Sequence, residues 1–354
     1  MTAYTIRRLL VLPIVLIFVT MFIFGMLSLL TPYERASLYV RDIPKNPGAL
    51  DAIVEKYGLD DPVPVQYWYW LVGREDKVTG ETEGGLLRGN LGWSNTGKGW
   101  VVDVIGRRLP ATAELALWAS IPMISIGVWF GVKAAVNHNN WIDQSLRMFS
   151  IVGWSIPTFV FGLLVLIIFY ARLGWFPPGR LSDWAMQVIQ DPSFTQFTRL
   201  YTIDALLNLR LDIFWDAMRH LILPVITLAY LNWAYLMRLT RSSMLDVLRK
   251  DYITTARSKG VREENVVKKH ALPNALIPVV TVGALMVIGL LNGVVITETI
   301  FNFPGMGSFL ATSALSLDVV SVLGVTLFSC LVLVFGNLIV DILYGIIDPR
   351  IRYQ

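Results

Sequence analysis

The sequence predicts an all-α polytopic membrane protein with six transmembrane helices and an external segment between the first and second of them. Only 16% of its 354 residues are charged, whereas a soluble domain carries about 25%. The mean hydropathy is +0.56, and six apolar stretches approach the roughly 20 residues that a helix needs to cross a bilayer. Because backbone polar groups in hydrocarbon must find partners within their own segment, we expect these stretches to be helices.

The six predicted spans are distributed along the whole chain. They are Leu9–Leu30, Ala111–Val136, Met148–Tyr170, Leu221–Met237, Ala275–Thr297 and Val319–Ile347. Arg7 and Arg8 precede the first span, as basic residues do in a signal peptide. Its apolar run is longer than the usual ~7–15 residues, and no small-x-small cleavage site follows Leu30. We therefore expect this span to remain as an uncleaved anchor.

The distribution of basic residues predicts the orientation in the membrane. Loop 238–274 contains nine Lys and Arg residues against four acids, whereas the turn 298–318 contains no Lys or Arg. Because basic residues concentrate in short cytoplasmic loops, loop 238–274 and both termini are expected to be cytoplasmic. The resulting segments are the N-terminus with the first span (1–30), an external segment (31–110), a transmembrane core (111–347) and a cytoplasmic tail (348–354).

The external segment 31–110 carries nearly balanced acidic and basic residues, so it is expected to be solvated. Asn46 and Pro47 predict the start of a helix and Gly58 its end, which indicates a small folded cap. The stretch Gly92–Gly99 comes close to the phosphate-binding pattern GxxxxGK[ST]. It lacks the final hydroxyl residue and follows no convincing strand, so we do not expect this chain to bind a nucleotide.

Side chains that could carry catalysis or hold a metal are scarce. The chain has one cysteine, Cys330, and three histidines that lie far apart in sequence. Because neither HExxH spacing nor a Cys/His cluster occurs, we predict no catalytic, cofactor-binding or metal site. Asn232, Asn292 and Asn337 are uncharged polar residues within spans, where they could join helices or contact cargo.

The cytoplasmic loop is the most informative part of the sequence. Between Arg241 and Lys259, four residues at a spacing of four fall on one face of a predicted helix. Gly260 is expected to end this helix as a left-handed cap. The recurring positions are Met244, Leu248, Tyr252 and Ala256. A second short helix is predicted to follow, with acids in its first turn, bases in its last, and Glu264 and Lys268 spaced to pair. The alternative is a basic segment that only enforces topology.

The segment Thr254-Thr255-Ala256-x3-Gly260-x11-Leu272-Pro273 resembles the EAA loop of ABC importer permeases. It departs from that pattern at Thr254, Thr255 and His270, where the family has Glu, Ala and Ile. The run Asp251–Gly260 resembles more narrowly the dipeptide and oligopeptide branch of the family. Further segments match this branch in the same order along the chain: Arg108–Leu115, Ser155–Pro157, Leu173–Gly179, Glu298–Gly307 and Asp348–Arg352. The stretch Arg74–Glu83 resembles an insertion relative to the branch.

This resemblance implies the type I ABC importer permease fold and an ATP-driven, binding-protein-dependent importer of peptides in a prokaryotic inner membrane. The chain would form half of the translocation pathway, and a second homologous permease would form the other half. Two cytoplasmic ATPase subunits would bind ATP and Mg²⁺, and an external protein would deliver the substrate. The chain itself is therefore expected to be no enzyme, to bind no cofactor and to have no nucleic-acid partner.

The resemblance implies which residues act in coupling, and the sequence itself offers candidates for the outer mouth, where Pro304 and Gly305 could equally form an ordinary turn. The coupling residues are Asp251, Tyr252, Thr254, Thr255, Ala256, Arg257, Lys259, Gly260, Leu272 and Pro273. Candidates for the outer mouth are Asn292, Glu298, Pro304 and Gly305. Two acids near the external ends of spans, Glu114 and Glu298, are expected to face water.

Alternatives remain open at this point. An ion-coupled secondary transporter usually places ionisable residues near the bilayer midplane, and the middles of the predicted spans contain none. An intramembrane enzyme would need HExxH, a Ser/Lys dyad within a span or paired aspartates, none of which is found in the sequence. Within the resembled branch, the cargo could also be glutathione, a nickel chelate or an oligosaccharide. Pairing of identical or of different permeases also stays open.

Overall fold

The computed structural model describes residues 2–38, 48–75 and 82–347. The helices in these ranges are α1 (Thr2–Leu27), α2 (Pro32–Ser37), α3 (Ala49–Tyr57), α4 (Val63–Val72), α5 (Val101–Val136), α6 (Trp141–Ser155), α7 (Thr158–Leu166), α8 (Asp183–Gln190), α9 (Tyr201–Leu207), α10 (Leu211–Leu248), α11 (Asp251–Ser258), α12 (Glu263–Asn265), α13 (Leu272–Leu291), α14 (Val295–Ile300), α15 (Met306–Leu315) and α16 (Val319–Ile347). Shorter elements are a 3₁₀ turn (Leu86–Arg88), two π-helical turns (Ile167–Arg172 and Val266–Ala271) and the strands β1 (Arg74–Glu75), β2 (Thr82–Glu83), β3 (Trp93–Ser94) and β4 (Gly99–Trp100).

The described residues contain five helical segments that are long and apolar enough to cross a membrane. They are Leu9–Leu27, Val101–Val136, Leu211–Leu248, Glu263–Leu291 and Val319–Ile342. The pair Trp141–Ser155 and Thr158–Arg172 supplies a sixth span when its two helices are counted together. The prediction of a helical, multi-spanning membrane protein is therefore confirmed. The predicted tail 348–354 lies outside the described residues.

The third predicted span, Met148–Tyr170, is not one continuous helix. The chain bends by 96° between α6 and α7, where Ile156 is extended (φ −87°, ψ 122°) and Pro157 is the N-cap of α7. Proline disfavours the helical conformation in the residue before it and has no N–H to donate to the preceding turn. Pro157 therefore explains why an apolar run that looks continuous in sequence is broken.

The fifth predicted span, Ala275–Thr297, also ends earlier than its apolar run. Helix α13 stops at Leu291, and Gly293 adopts φ +99° before α14 begins. A Cβ atom at Gly293 would lie 2.6 Å from the backbone nitrogen of Gly307. Only glycine combines this backbone conformation with so close an approach. The position of the break therefore depends on the contact with Gly307, which lies outside the apolar run.

The chain forms two compact units. Of the described residues, the first comprises Pro110–Gly307 and 336–347, and the second comprises 2–38, 48–75, 82–109 and Ser308–Phe335. Helix α10 is the central element of the first unit. In its most apolar 18-residue stretch, 61% is buried, compared with 33% in the corresponding stretch of α5. It contacts α6, α7, α9 and α13. The fourth predicted span, Leu221–Met237, is the middle of this longer helix.

Helices α5 and α10 approach closely at two glycines one turn apart, Gly127 and Gly131. A Cβ atom at Gly127 would lie 2.8 Å from the Cβ of Leu236, and one at Gly131 would lie 2.5 Å from the Cβ of Thr240 and 2.8 Å from the carbonyl oxygen of Met237. Small residues at such spacing allow helices in membranes to pack backbone to backbone. The α5–α10 contact therefore depends on the absence of side chains at these positions.

The described part of the segment that is predicted to be external is folded within the second unit. Helix α3 ends at Gly58, whose φ of +59° is the left-handed cap that the sequence predicts, while Asn46 and Pro47 lie outside the described residues. Strands β1 and β2 pair as an antiparallel hairpin at the two ends of the predicted insertion, of which residues 76–81 are not described.

The stretch Gly92–Gly99 forms a hairpin of β3 and β4 and not a phosphate-binding loop. The carboxylate of Asp318 accepts hydrogen bonds from the Ser94 hydroxyl at 3.1 Å and from the Thr96 backbone N–H at 2.9 Å. The loop thus directs a backbone donor at a negative charge of the protein, which would repel phosphate. This arrangement supports the interpretation that the sequence pattern is coincidental.

Replacing Gly131 with alanine should destabilise the protein, because the new Cβ would push α5 and α10 apart. Overpacking of this kind costs about 1–3 kcal/mol, so the apparent melting temperature of the detergent-purified protein should fall. Gly289→Ala in α13 is the matched control, since a Cβ there would meet no atom within 4 Å. Equal melting temperatures for the two variants would contradict the proposed close contact.

Candidate functional site

The predicted coupling loop begins with a break in the helix that precedes it. Helix α10 ends at Leu248, Lys250 is extended (φ −77°, ψ 148°), and α11 begins at the next residue. The prediction of one helix from Arg241 to Lys259 is therefore wrong. The change of direction buries Ile253, whereas Tyr252 is 44% exposed. The four-residue repeat does not show this break, because the break accompanies the packing of Ile253 into a cluster with residues that are distant in sequence.

A buried apolar cluster holds the loop against the ends of the long helices. It contains Ala135 from α5, Met244 from α10, Ile253 from α11, the π-helical residues Val266, Val267 and Ala271, and Ala275 from α13. The Ser243 hydroxyl adds a hydrogen bond of 2.8 Å to the carbonyl oxygen of Ala275. The loop therefore has its own core, in which most members are fully buried.

Gly260 ends α11 as the sequence predicts. Its φ is +75°, its N–H donates to the carbonyl of Arg257 at 2.9 Å, and the N–H of Val261 donates to the carbonyl of Ala256 at 3.3 Å. These two bonds are those of a Schellman motif, in which a left-handed residue satisfies the last helical carbonyls. Val261 and Ala256 both pack against the apolar cluster, as is common in this motif. The bend is thus fixed by backbone bonds and by packing.

Two ion pairs lie on the exposed side of the bend. Arg257 donates to both carboxylate oxygens of Glu263, at 3.0 and 2.6 Å, and Lys268 contacts Glu264 at 2.6 Å. The second pair is the one predicted from the four-residue spacing. Both pairs are largely exposed, so solvent screens them and they add little to stability. The bidentate pair mainly fixes the direction in which α12 leaves the bend.

The second half of the loop runs directly into the fifth span. Helix α12, the π-helical turn Val266–Ala271 and α13 follow one another without a break, and together they form one helical segment, Glu263–Leu291. The second short helix that the sequence predicts is therefore not a separate element, because it continues into the fifth span. Pro273 lies in the first turn of α13 and cannot donate to the turn before it. The wider π turn at that place is consistent with this missing donor.

Most of the predicted coupling residues are exposed on this loop. Those exposed are Asp251, Tyr252, Thr254, Thr255, Arg257, Lys259, Gly260 and Pro273, whereas Ala256 and Leu272 are partly buried. We call the exposed group the coupling surface. It combines a rigid base with side chains that are available to another protein.

The predicted outer-mouth residues are spread over different environments. Pro304 is exposed, Gly305 is buried and Asn292 is half-buried. The Asn292 amide oxygen has no hydrogen-bond partner among the described residues. A cleft of about 700 Å³ lies near the breaks in the third and fifth spans, and Asn232 is among its lining residues. None of the predicted outer-mouth residues lines that cleft.

Glu298 does not face water, contrary to the expectation from sequence. It is fully buried, and its carboxylate accepts a hydrogen bond of 2.8 Å from the Thr112 hydroxyl. That hydroxyl accepts in turn from the backbone N–H of Met306 at 2.8 Å. A Cβ atom at Gly305 would lie 2.5 Å from the Glu298 carboxylate. Gly305 is therefore needed for close packing around a buried acid.

Glu114 is also buried, so the expectation that it faces water is wrong as well. Its carboxylate contacts the guanidinium of Arg180 at 2.6 Å and accepts from the N–H and hydroxyl of Thr202 at 2.7 and 2.9 Å. The same guanidinium lies 3.7 Å from the centre of the Tyr201 ring. The sequence does not predict Arg180 and Thr202 as partners of Glu114. They lie 66 and 88 positions from Glu114, in a loop that contains no recognisable motif for such a contact.

Comparison with known families assigns this architecture. The family described as the inner membrane component of binding-protein-dependent transport systems matches residues 124–353. The N-terminal membrane component of the same systems matches residues 1–116. The chain belongs to this permease family. It is accordingly a multi-pass inner-membrane permease component, and the resemblance drawn from its motifs is confirmed.

Individual relatives match the permease over almost its entire length. It is 38% identical over 354 residues, and over the whole of both chains, to the oligopeptide transport system permease protein AppB of Bacillus subtilis. It is 40% identical over 331 residues to the probable D,D-dipeptide transport system permease protein DdpB of Escherichia coli, covering 92% of this chain and 90% of that one. It is 38% identical over the full length to the dipeptide transport system permease protein DppB of Alkalihalophilus pseudofirmus.

Replacing Glu114 with glutamine should strongly destabilise the permease, because it leaves the buried Arg180 guanidinium without its carboxylate. Breaking a buried pair from one side costs about 3–5 kcal/mol, which should appear as a lower melting temperature. Asp212→Asn is the matched control, since its Arg210 partner and Asp212 itself are largely exposed. The double variant Glu114→Met with Arg180→Met should recover part of the loss. Equal melting temperatures for the buried and exposed variants would contradict the assignment.

Proposed function

We propose that this permease forms half of the translocation pathway of an ATP-driven peptide importer and that the coupling surface is where a cytoplasmic ATPase subunit docks. The observation that carries this proposal is the rigid attachment of an exposed surface to the membrane helices. The surface rests on a buried cluster shared with α5, α10 and α13. A load applied to α11 would therefore move the helices and not only bend a loop.

A second contact extends this mechanical connection to α6. Arg241 on α10 donates to both carboxylate oxygens of Asp143, each at 2.6 Å, and Asp143 is fully buried. A bidentate pair with one partner buried fixes both distance and orientation. Motion of α10 at the base of the coupling surface would thus be passed to the first half of the bent third span, which lies beside the cleft.

The charge of loop 238–274 supports docking on another protein. Nine basic against four acidic residues give 9 − 4 = +5, and Arg262, Lys268 and Lys269 are exposed beside the coupling surface. On the orientation that we propose, with both termini cytoplasmic, this charge lies on the cytoplasmic side. An ATPase subunit with an acidic groove would be complementary to it.

The remaining parts of the proposal follow from the family and from the names of the relatives. A binding-protein-dependent system implies an external substrate-binding protein, and we propose one second permease and two ATPase subunits, which would bind ATP and Mg²⁺. The relatives are called oligopeptide, D,D-dipeptide and dipeptide permeases, which supports peptides as cargo. We place Asn292, Glu298, Pro304 and Gly305 at the outer end, where Glu298 and Gly305 act as packing elements.

Gly260→Val should uncouple ATP hydrolysis from transport. A Cβ at this position would meet no atom within 4 Å, so the effect would come from the left-handed backbone, which costs a β-branched residue roughly 1–3 kcal/mol. Gly260→Asn is the control, because asparagine tolerates this conformation. The complete complex in proteoliposomes, with the ATPase subunits on the ATP side, should lose peptide uptake and substrate-stimulated ATPase only in the valine variant. Normal activity of Gly260→Val would contradict the proposed role.

The docking position can be tested by cross-linking. In a Cys330→Ala background, Thr255→Cys should form a cross-link to the ATPase subunit with a short thiol-reactive reagent, because Thr255 is exposed on α11. His138→Cys, exposed in the turn between α5 and α6, is the control and should not. If both positions cross-linked equally, or if uptake depended on an ion gradient and not on ATP, the proposal would fail.

A further inference from the structure

A cavity of about 570 Å³ lies within the second unit, at the end of two membrane helices. Its apolar part is formed by the C-terminal end of α1 and the N-terminal end of α16. The residues that these helices contribute are Ile23, Phe24, Leu27, Val320, Leu323, Gly324 and Leu327. Its polar part comes from the segments that follow α1, and includes Arg35, Gln66 and Asn90. The lining is thus wholly apolar where it adjoins the spans, whereas its charged residues, Arg35 and Arg74, lie on the other side together with leucines such as Leu38 and Leu59.

Arg35 is the unusual residue of this cavity. It is 9% exposed, and its guanidinium donates only to neutral acceptors, the Gln66 side-chain oxygen and the Leu59 carbonyl, the latter at 2.8 Å. Its Nε has no hydrogen-bond partner among the described residues. Burial of an arginine normally requires a partner of opposite charge, and none contacts Arg35 within the described ranges.

The neighbouring carboxylates are already engaged elsewhere. Glu34 accepts from the N–H and the hydroxyl of Thr31 at 2.7 and 2.8 Å and so completes the capping box of α2. Asp61 lies 3.5 Å from Arg74. The cavity therefore presents a buried positive charge whose counter-ion does not come from these two acids.

We propose that this cavity binds one anionic phospholipid, with its phosphate at Arg35 and the upper part of one acyl chain between α1 and α16. The separation of the apolar lining from the charged lining favours a lipid over a free anion, because a free anion would make no favourable contact with the apolar lining. Four aromatic residues also line the cavity: Tyr69, Trp70, Trp93 and Trp100. Tyrosine and tryptophan are enriched at the interfaces between a membrane and water.

The site goes beyond the proposed transport function and does not depend on it. On the orientation proposed above, the lipid would belong to the outer leaflet. Bound there, it would join the end of the first span, the external segment and the start of the last span, all of which lie in one compact unit. A lipid held by buried contacts would stabilise that unit by mass action.

The test uses the delipidated full-length protein in detergent and native mass spectrometry. Phosphatidylglycerol and phosphatidylcholine with identical acyl chains are titrated against wild type, Arg35→Gln, Leu323→Trp and Arg172→Gln. Arg172 is an exposed arginine in the first unit and serves as the control for unspecific charge effects. Melting temperatures in phosphatidylcholine confirm that each variant is folded.

We expect wild type and Arg172→Gln to prefer phosphatidylglycerol about tenfold, which corresponds to about 1.4 kcal/mol. Arg35→Gln should lose this preference while its binding of phosphatidylcholine stays the same. Leu323→Trp keeps the charge but fills the apolar part, so it should weaken the binding of both lipids. This variant keeps the proposal testable if Arg35→Gln fails to fold.

Two results would overturn the proposal. One is an unchanged preference for phosphatidylglycerol in Arg35→Gln. The other is displacement of phosphatidylglycerol by inorganic phosphate or glycerol 3-phosphate at equal concentration, together with unaltered lipid binding in Leu323→Trp. The second result would mark a site for a free anion.

Discussion

Backbone amide and carbonyl groups that enter hydrocarbon must find partners inside the protein, and the architecture of this permease depends on that constraint. Long helices meet it along most of the chain, and α10 is the one around which the first unit is packed. Among the described residues, the third and fifth predicted spans are interrupted before Pro157 and at Gly293. At Gly293 the broken backbone lies against the backbone of Gly307. At this second break, the irregular backbone is thus covered by protein.

The same helix connects the membrane core to the coupling surface. Leu221, Leu228 and Leu236 of α10 belong to the core shared with α5 and α13, and Met244, two turns further on, belongs to the cluster below α11. No flexible segment separates the two clusters, because α10 is continuous from Leu211 to Leu248. This continuity gives the proposed ATPase contact a physical route to the pathway, with Gly260 fixing the angle of the surface.

Charged groups are used in two different ways at the other ends of the spans. Glu114 is buried against Arg180 and joins the second span to the loop that follows the third. Arg35 is buried against neutral groups only, among the residues described. A buried charge is costly unless a group of opposite charge pairs with it. The first arrangement is therefore a structural tie, and the second is a place for an anion from outside the chain.

The sequence by itself determined the membrane class, the family, the left-handed cap at Gly260 and the Glu264–Lys268 pair. These features depend on composition, on local backbone preference and on spacings within one turn. Only the tertiary structure decided that α10 stops before Lys250, that Glu114 and Glu298 are buried and that Arg180 is the partner of Glu114. The positions that these depend on are far apart in sequence, and burial is set by the sum of many packing contacts, so no local pattern encodes them.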